Sequence, residues 1–72
     1  MNFISFKKFL NNNGIMLFDA QYRIVYHRYN ILNNITGKNI VKNMNSNILN
    51  HYVDSLLTKN IAKINYIIER LQ

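Results

Sequence analysis

From Val53 to Leu71 the apolar residues fall in steps of three and four: Val53, Leu57, Ile61, Ile64, Ile68 and Leu71. Such steps bring side chains onto one stripe of an α-helix. No glycine or proline interrupts the run, and Ser46 stands where a hydroxyl can cap a first turn. The spacing predicts one unbroken helix over 47–71, roughly 37 Å long at the usual rise per residue. In a chain of 72 residues, such a rod leaves helix packing as the way to build a core.

Two further helices complete the expectation. Phe3, Phe6 and Leu10 share a helical face, with Ile4 beside them, and predict a short helix over about 3–11. Asn11-Asn12-Asn13-Gly14 supplies its stop, because Asn and Gly tolerate the left-handed conformation that ends helices. Asp19 offers a carboxylate to the open amides of a first turn, and Gly37 offers the matching stop. Between them Ile24, Val25, Ile31, Leu32 and Ile35 recur with helical spacing, which predicts a helix over 19–36. The β-branched and Tyr residues of 22–29 would also suit a strand. They do not alternate with period two, however, and no second strand is available to pair with. Residues 38–45 form a connector with a helical turn around Ile40-Val41. The expected fold is all-α and a single domain over 1–72: an antiparallel long-helix hairpin, with the short N-terminal helix covering one end of its seam.

Composition narrows the chemistry. A chain of this size hides only about 60% of its unfolded surface, so small domains usually need a staple or a partner. With no cysteine, disulfides and thiolate metal sites are excluded. His27 and His51 lie too far apart for a local metal motif, and each reads as a surface or half-buried polar residue. Three isolated carboxylates, Asp19, Asp54 and Glu69, supply neither an acid–base pair nor an activated nucleophile. Gly14 and Gly37 are single stops and build no phosphate-cradling loop. The expectation is a protein that is not an enzyme and uses no cofactor or metal.

Nine Lys and Arg against those three acids give a net charge of +6 and a pI near 9.9. That excess favours a polyanionic partner, nucleic acid or anionic lipid. Asn occurs 14 times and Ile 11 times, while Pro and Trp are absent. Asn, Ile, Lys and Tyr have A/T-rich codons, so the coding genome reads as A/T-rich: an organelle, a reduced bacterium, a phage or a large DNA virus. On that reading a single Asn carries little weight. The longest apolar run, Ile15-Met16-Leu17-Phe18, is far short of the roughly 20 residues a spanning helix needs. The opening Met1-Asn2-Phe3-Ile4-Ser5-Phe6-Lys7-Lys8 lacks the order of a secretory signal or transit peptide. The chain is expected to stay in the compartment where it is made.

On the third expected helix, Tyr52, Ser55, Lys59, Lys63, Tyr66 and Arg70 step along one polar stripe. Cations at one-turn intervals can track successive phosphates, and a Tyr ring can stack on a base. Every amphipathic helix turns something polar outward, but a plain solvated face accounts less well for the lack of any carboxylate on the stripe from Ser55 to Ile68. On the second helix Arg23, His27, Asn30 and Asn34 line a similar stripe with Arg28 to one side. Lys38 and Lys42 on the connector complete the candidate nucleic-acid-binding set. At the N-terminus Phe3, Ile4, Phe6, Phe9 and Leu10, beside Lys7-Lys8, suit either a helix that caps the core or an anchor facing lipid or protein.

The segment Lys59-Asn60-Ile61-Ala62-Lys63-Ile64-Asn65-Tyr66-Ile67-Ile68-Glu69-Arg70 resembles the closing motif of the large-subunit ribosomal protein twenty-nine family, basic-basic-x-Ile-Ala-Arg-Ile-x-Thr-x-x-x-Glu. Tyr29-Asn30-Ile31-Leu32 and Ile35-Thr36-Gly37-Lys38 look like that family's Phe-Asn-Leu-Arg and Ala-Thr-Gly-Gln at its hairpin turn. The resemblance implies a helical hairpin near the polypeptide exit tunnel. It implies contact with large-subunit ribosomal RNA through basic helical residues, beside ribosomal protein twenty-three. Carried over, Lys59 and Lys63 would be the cations on rRNA, and Ile61, Ala62 and Ile64 would pack the hairpin. The stretch between Gly37 and Ile61 is longer than the family norm, Thr58 stands where Arg is usual, and Lys63 replaces an Arg whose planar fork it cannot reproduce.

The expected function is therefore an RNA-binding structural component of a ribonucleoprotein, a large-subunit ribosomal protein in an organelle or in the cytoplasm of an organism with an A/T-rich genome. Its partners would be rRNA and neighbouring proteins. Two other classes stay open: a small phage, viral or host effector gripping an acidic protein, and a peripheral membrane or assembly subunit anchored by its Phe residues.

Overall fold

The computed structural model of the chain describes residues 1–71. It contains four α-helices: α1 (Phe3–Asn12), α2 (Asp19–Thr36), α3 (Ser46–Thr58) and α4 (Ile61–Arg70). A 3-10 turn, Ile40–Asn43, lies in the connector between α2 and α3 and buries Ile40 and Val41. There is no strand among the described residues, in keeping with the all-α expectation. Packing follows chain order, α1 on α2, α2 on α3 and α3 on α4.

The single rod expected over 47–71 is not formed. It breaks at Lys59, which adopts φ 53° and ψ 36°, a left-handed conformation. The Asn60 N–H turns back to the Ser55 carbonyl at 3.0 Å, the outer bond of a Schellman closure. Asn60 then opens α4, its Oδ1 accepting the Lys63 N–H at 3.1 Å. The reason is one of length. The longest dimension of the molecule is 28 Å, matched by the roughly 27 Å of α2. A straight third helix would overhang α2 by roughly 10 Å with nothing to cover its apolar stripe. Folding back buries Ile64, Ile67 and Ile68, each contributing about 1.5–3 kcal/mol. A left-handed Lys costs only about 1–2 kcal/mol, so burial wins. The two-arm hairpin expected from the sequence thus gives way to four helices, with its second arm split.

Asparagine starts three of the four. Asn2 Oδ1 accepts the Ser5 N–H at 2.8 Å, and Asn45 Oδ1 accepts the Ile48 N–H at 2.8 Å. Each such cap is worth about 1 kcal/mol. Two expected caps are corrected by one residue. Asn45 rather than Ser46 caps α3, which leaves the Ser46 hydroxyl to donate to Asn13 Oδ1 at 2.8 Å. Phe18 rather than Asp19 precedes α2; its N–H donates to Gln21 Oε1 at 2.9 Å, while Asp19 pairs with Lys7 at 3.2 Å. The stop after α1 is a full Schellman motif. Gly14 at φ 77° donates to the Asn11 carbonyl, Ile15 donates to that of Leu10, and both Ile15 and Leu10 are buried.

The core also differs from the expected one on α2. Ile24, Ile31 and Ile35 are exposed; Val25 is buried as expected, and Tyr22 and Tyr29 take the isoleucines' place beside it. Both sets have helical spacing, so periodicity alone does not choose between them. The choice is made by α1 and the connector. Phe6 stacks on Tyr29 with ring centroids 4.6 Å apart, and Phe3 meets Tyr26 edge-on at 5.5 Å. The Tyr22 hydroxyl donates to Asn11 Oδ1, and that of Tyr29 donates to Asn39 Oδ1 at 2.9 Å. A buried ring with its hydroxyl satisfied contributes a large apolar area without stranding a polar group. Around these rings lie Leu49, Val53 and Leu56 from α3. The accessible surface of 4742 Å² is what a folded monomer of this mass should show, about 4700 Å².

The break at Lys59 makes a prediction of sign. Lys59→Gly should raise the unfolding free energy by about 0.5–1 kcal/mol, since glycine enters the left-handed region freely. In an unbroken helix the same change would lower it by about 1 kcal/mol. Urea titration followed by circular dichroism distinguishes the two.

Candidate nucleic-acid interface

Because α4 folds back on α3, an open groove of 480 Å³ forms between them, with Ile48, Ile67 and Leu71 as an apolar floor. His51, Lys63, Tyr66 and Arg70 stand around it. Lys63, Tyr66 and Arg70 are candidates from the sequence, brought together by their steps of three and four along α4. The Arg70 guanidinium lies over the Tyr66 ring, 5.2 Å from its centroid, and donates to the Tyr66 hydroxyl at 3.1 Å. Tyr66 is 58% exposed. Arginine and aromatic planes side by side are the surfaces on which unpaired bases stack. Lys63 bonds Asp54 Oδ2 at 3.2 Å, with both side chains partly open to solvent. An exposed pair of this kind is worth at most about 1 kcal/mol, so a phosphate can compete for the lysine.

The rest of the expected stripe is corrected. Tyr52 and Ser55 do not line a polar face; they are buried in the core, with the Ser55 hydroxyl donating to the Tyr52 carbonyl at 2.6 Å. The left-handed turn at Lys59 rotates α4 relative to α3, so positions on either side of it no longer share a face. Lys59 itself lines a second groove, of 360 Å³, together with Arg28. Arg28 has a structural task. Its Nη1 donates to the carbonyls of Leu56 and, at 3.2 Å, of Leu57, the open end of α3. Arg23 lies over the Phe3 ring at 5.1 Å and is exposed. Lys38 and Lys42 are exposed on the connector. The eight candidates therefore fall into one cluster of three, one pair and three separate cations.

His51 and Ile48 were not among the binding residues expected from the sequence. The signal that could have found them is the Asn60-to-Lys63 spacing, a capping pattern that announces a helix start and hence a fold-back onto α3. Ile61 and Ala62, expected to pack a hairpin alongside Ile64, are exposed, and only Ile64 is buried. Phe6 is buried, and Phe3 and Phe9 are packed against the core. The N-terminal helix thus caps the core, and its phenylalanines are not free to enter lipid. No helix among the described residues is long and apolar enough to cross a membrane. Nor does any group of three or more His, Asp or Glu among them stand together as a metal cluster. No protein-family model, curated protein or solved structure matches the chain.

Two predictions follow from these placements. Arg28→Ala should lower the unfolding free energy by about 2 kcal/mol, because two carbonyls lose a charged donor; denaturant titration measures it. The Tyr52 hydroxyl is buried with no protein partner. Burial, reinforced by neighbouring Tyr29, pushes this phenol well above its usual range. An unfolded tyrosine ionises near pH 10, so above that pH ionisation lowers the free energy of the unfolded chain while the fold keeps this phenol protonated. This one group should make stability fall by up to about 1.4 kcal/mol per pH unit. Tyr52→Phe should flatten that fall and be neutral or stabilising below it, as thermal melts at several pH values would record.

Proposed function

We propose that the chain is a non-enzymatic, RNA-binding component of a ribonucleoprotein, with the large ribosomal subunit as the setting its resemblance implies. One observation carries this reading. Lys8, Arg23, Lys38, Lys42, Lys59 and Arg70 are exposed and form no salt bridge among the described residues, while Lys7 and Lys63 occupy two of the three carboxylates. The molecule keeps most of its positive charge available and spends two of its three acids internally. A polyanion neutralises such a surface by releasing its own counterions, a gain that grows with each phosphate contacted.

The α3–α4 groove adds a way to hold a single-stranded or looped segment. An unpaired base can lie against Tyr66 over the apolar floor, with Arg70 and Lys63 on the flanking phosphates. Aromatic stacking contributes about 1–3 kcal/mol per base. The rRNA of a large subunit, in an organelle or in an organism with an A/T-rich genome, is the natural ligand under this proposal.

Tagged chain in native extract should co-sediment with a ribosome-sized particle and be released by RNase. Retention on one protein after RNase treatment would replace this reading with that of a protein-binding effector. With purified RNA, Tyr66→Ala should weaken binding about 5- to 100-fold at every salt concentration. Arg70→Gln should instead reduce the slope of log affinity against log salt by about 0.7–0.9. Equal affinity and slope in both variants would remove the groove from the interface.

A further inference from the structure

The core leaves a row of isoleucines uncovered. Ile24, Ile31 and Ile35 lie on one face of α2, spaced seven and four apart, and Ile35 is 75% exposed. The row runs roughly 17 Å, about three helical turns. Beside it the fold-back of α4 opens the second groove, with Leu32, Leu56 and Ile64 in its floor and Ile31 and Ile61 on its sides. Ile61 is 63% exposed. Scattered apolar residues on a surface need no explanation, but a continuous apolar patch rimmed by charge marks an interaction site. The only charged residues lining this groove are Arg28 and Lys59. Both Arg28 bonds to α3 run through Nη1, which leaves Nε and Nη2 for a further acceptor.

We infer that this groove docks an amphipathic helix with acidic flanks, contributed by another protein. The length of the isoleucine row suits a helical occupant, since about three turns of helix laid along it would present anchors over the same span. The two lining cations set its charge, because carboxylates beside the anchors would meet Lys59 and the free edge of Arg28. A second copy fits poorly. A two-fold contact would bring the same cationic rims together, on chains that each carry +6. RNA fits poorly as well, since isoleucine walls offer no ring for stacking and no group that reads a base edge. The surface is separate from the α3–α4 groove and shares only Lys59 with the exposed cations of the RNA-binding reading, so different variants test the two.

The probe is a synthetic helical peptide with leucines at the spacing of the row and glutamates on both flanks. Controls are the same composition scrambled to destroy the period, and poly-uridine RNA. In a methyl-detected NMR titration of the isotope-labelled wild-type chain, the peptide should shift Ile31, Ile35 and Ile61 and leave Ile48 and Ile67 unmoved. Ile31→Ser with Ile61→Ser should weaken peptide binding, read by fluorescence anisotropy, about tenfold or more. Ile35→Ser alone, at a position open to solvent, should weaken it in the same direction with an unchanged circular dichroism spectrum. Tyr66→Ala should leave it as in wild type. The inference is overturned if the scrambled peptide binds equally well, or if the methyl shifts fall elsewhere. It also fails if poly-uridine occupies the isoleucine row, or if sedimentation finds a dimer that Ile31→Ser dissociates.

Discussion

At the end of α3, where the carbonyls of Leu56 and Leu57 have no helical partners, the guanidinium of Arg28 reaches across from α2 and binds both. Unpaired carbonyls at a helix end are costly if buried, and a charged donor from a neighbouring helix removes that cost. This contact fixes where α3 stops relative to α2, and so where the chain can turn. One residue later Lys59 goes left-handed, Asn60 caps the next helix, and α4 lies back on α3. Both grooves exist because of that turn. One runs between α3 and α4, the other between α2 and the joint itself.

Much of the helical content could be read from the sequence, for identifiable reasons. Gly14 and Gly37 sit at positive φ where the reading stopped helices, because glycine advertises that conformation. The turn at Lys59 carries no such advertisement, since neither Gly nor Pro marks it. What marks it is an Asn followed three residues on by the amide it caps. In a chain so rich in Asn, codon bias masks that signal, whereas Asn2, Asn45 and Asn60 start helices and Asn11 and Asn39 satisfy buried tyrosines.

The candidate site was legible only within α4. Lys63, Tyr66 and Arg70 sit on a single helix, where spacing decides which side chains are neighbours. Tyr52 and Ser55 escape a polarity pattern because a phenol and a hydroxyl count as polar in it, yet both fit a core when packing admits them. On α2 the stripe of isoleucines looked like the seam and is the outer face. Hydrophobicity ranks Ile above Tyr, but Tyr29 had a ring partner on α1, and Tyr22 and Tyr29 had amide acceptors in Asn11 of α1 and Asn39 of the connector. The isoleucines had none. Tertiary partners decided which of two periodic faces turned inward.

The helix-starting groups have a further consequence. Many proteins begin their helices with carboxylates and come apart in acid as those groups take up protons. Here the capping groups of α1, α3 and α4 are carboxamides, which neither gain nor lose a proton across the accessible range. Those three helix origins are therefore blind to acidification, and a compartment of low pH would leave them intact.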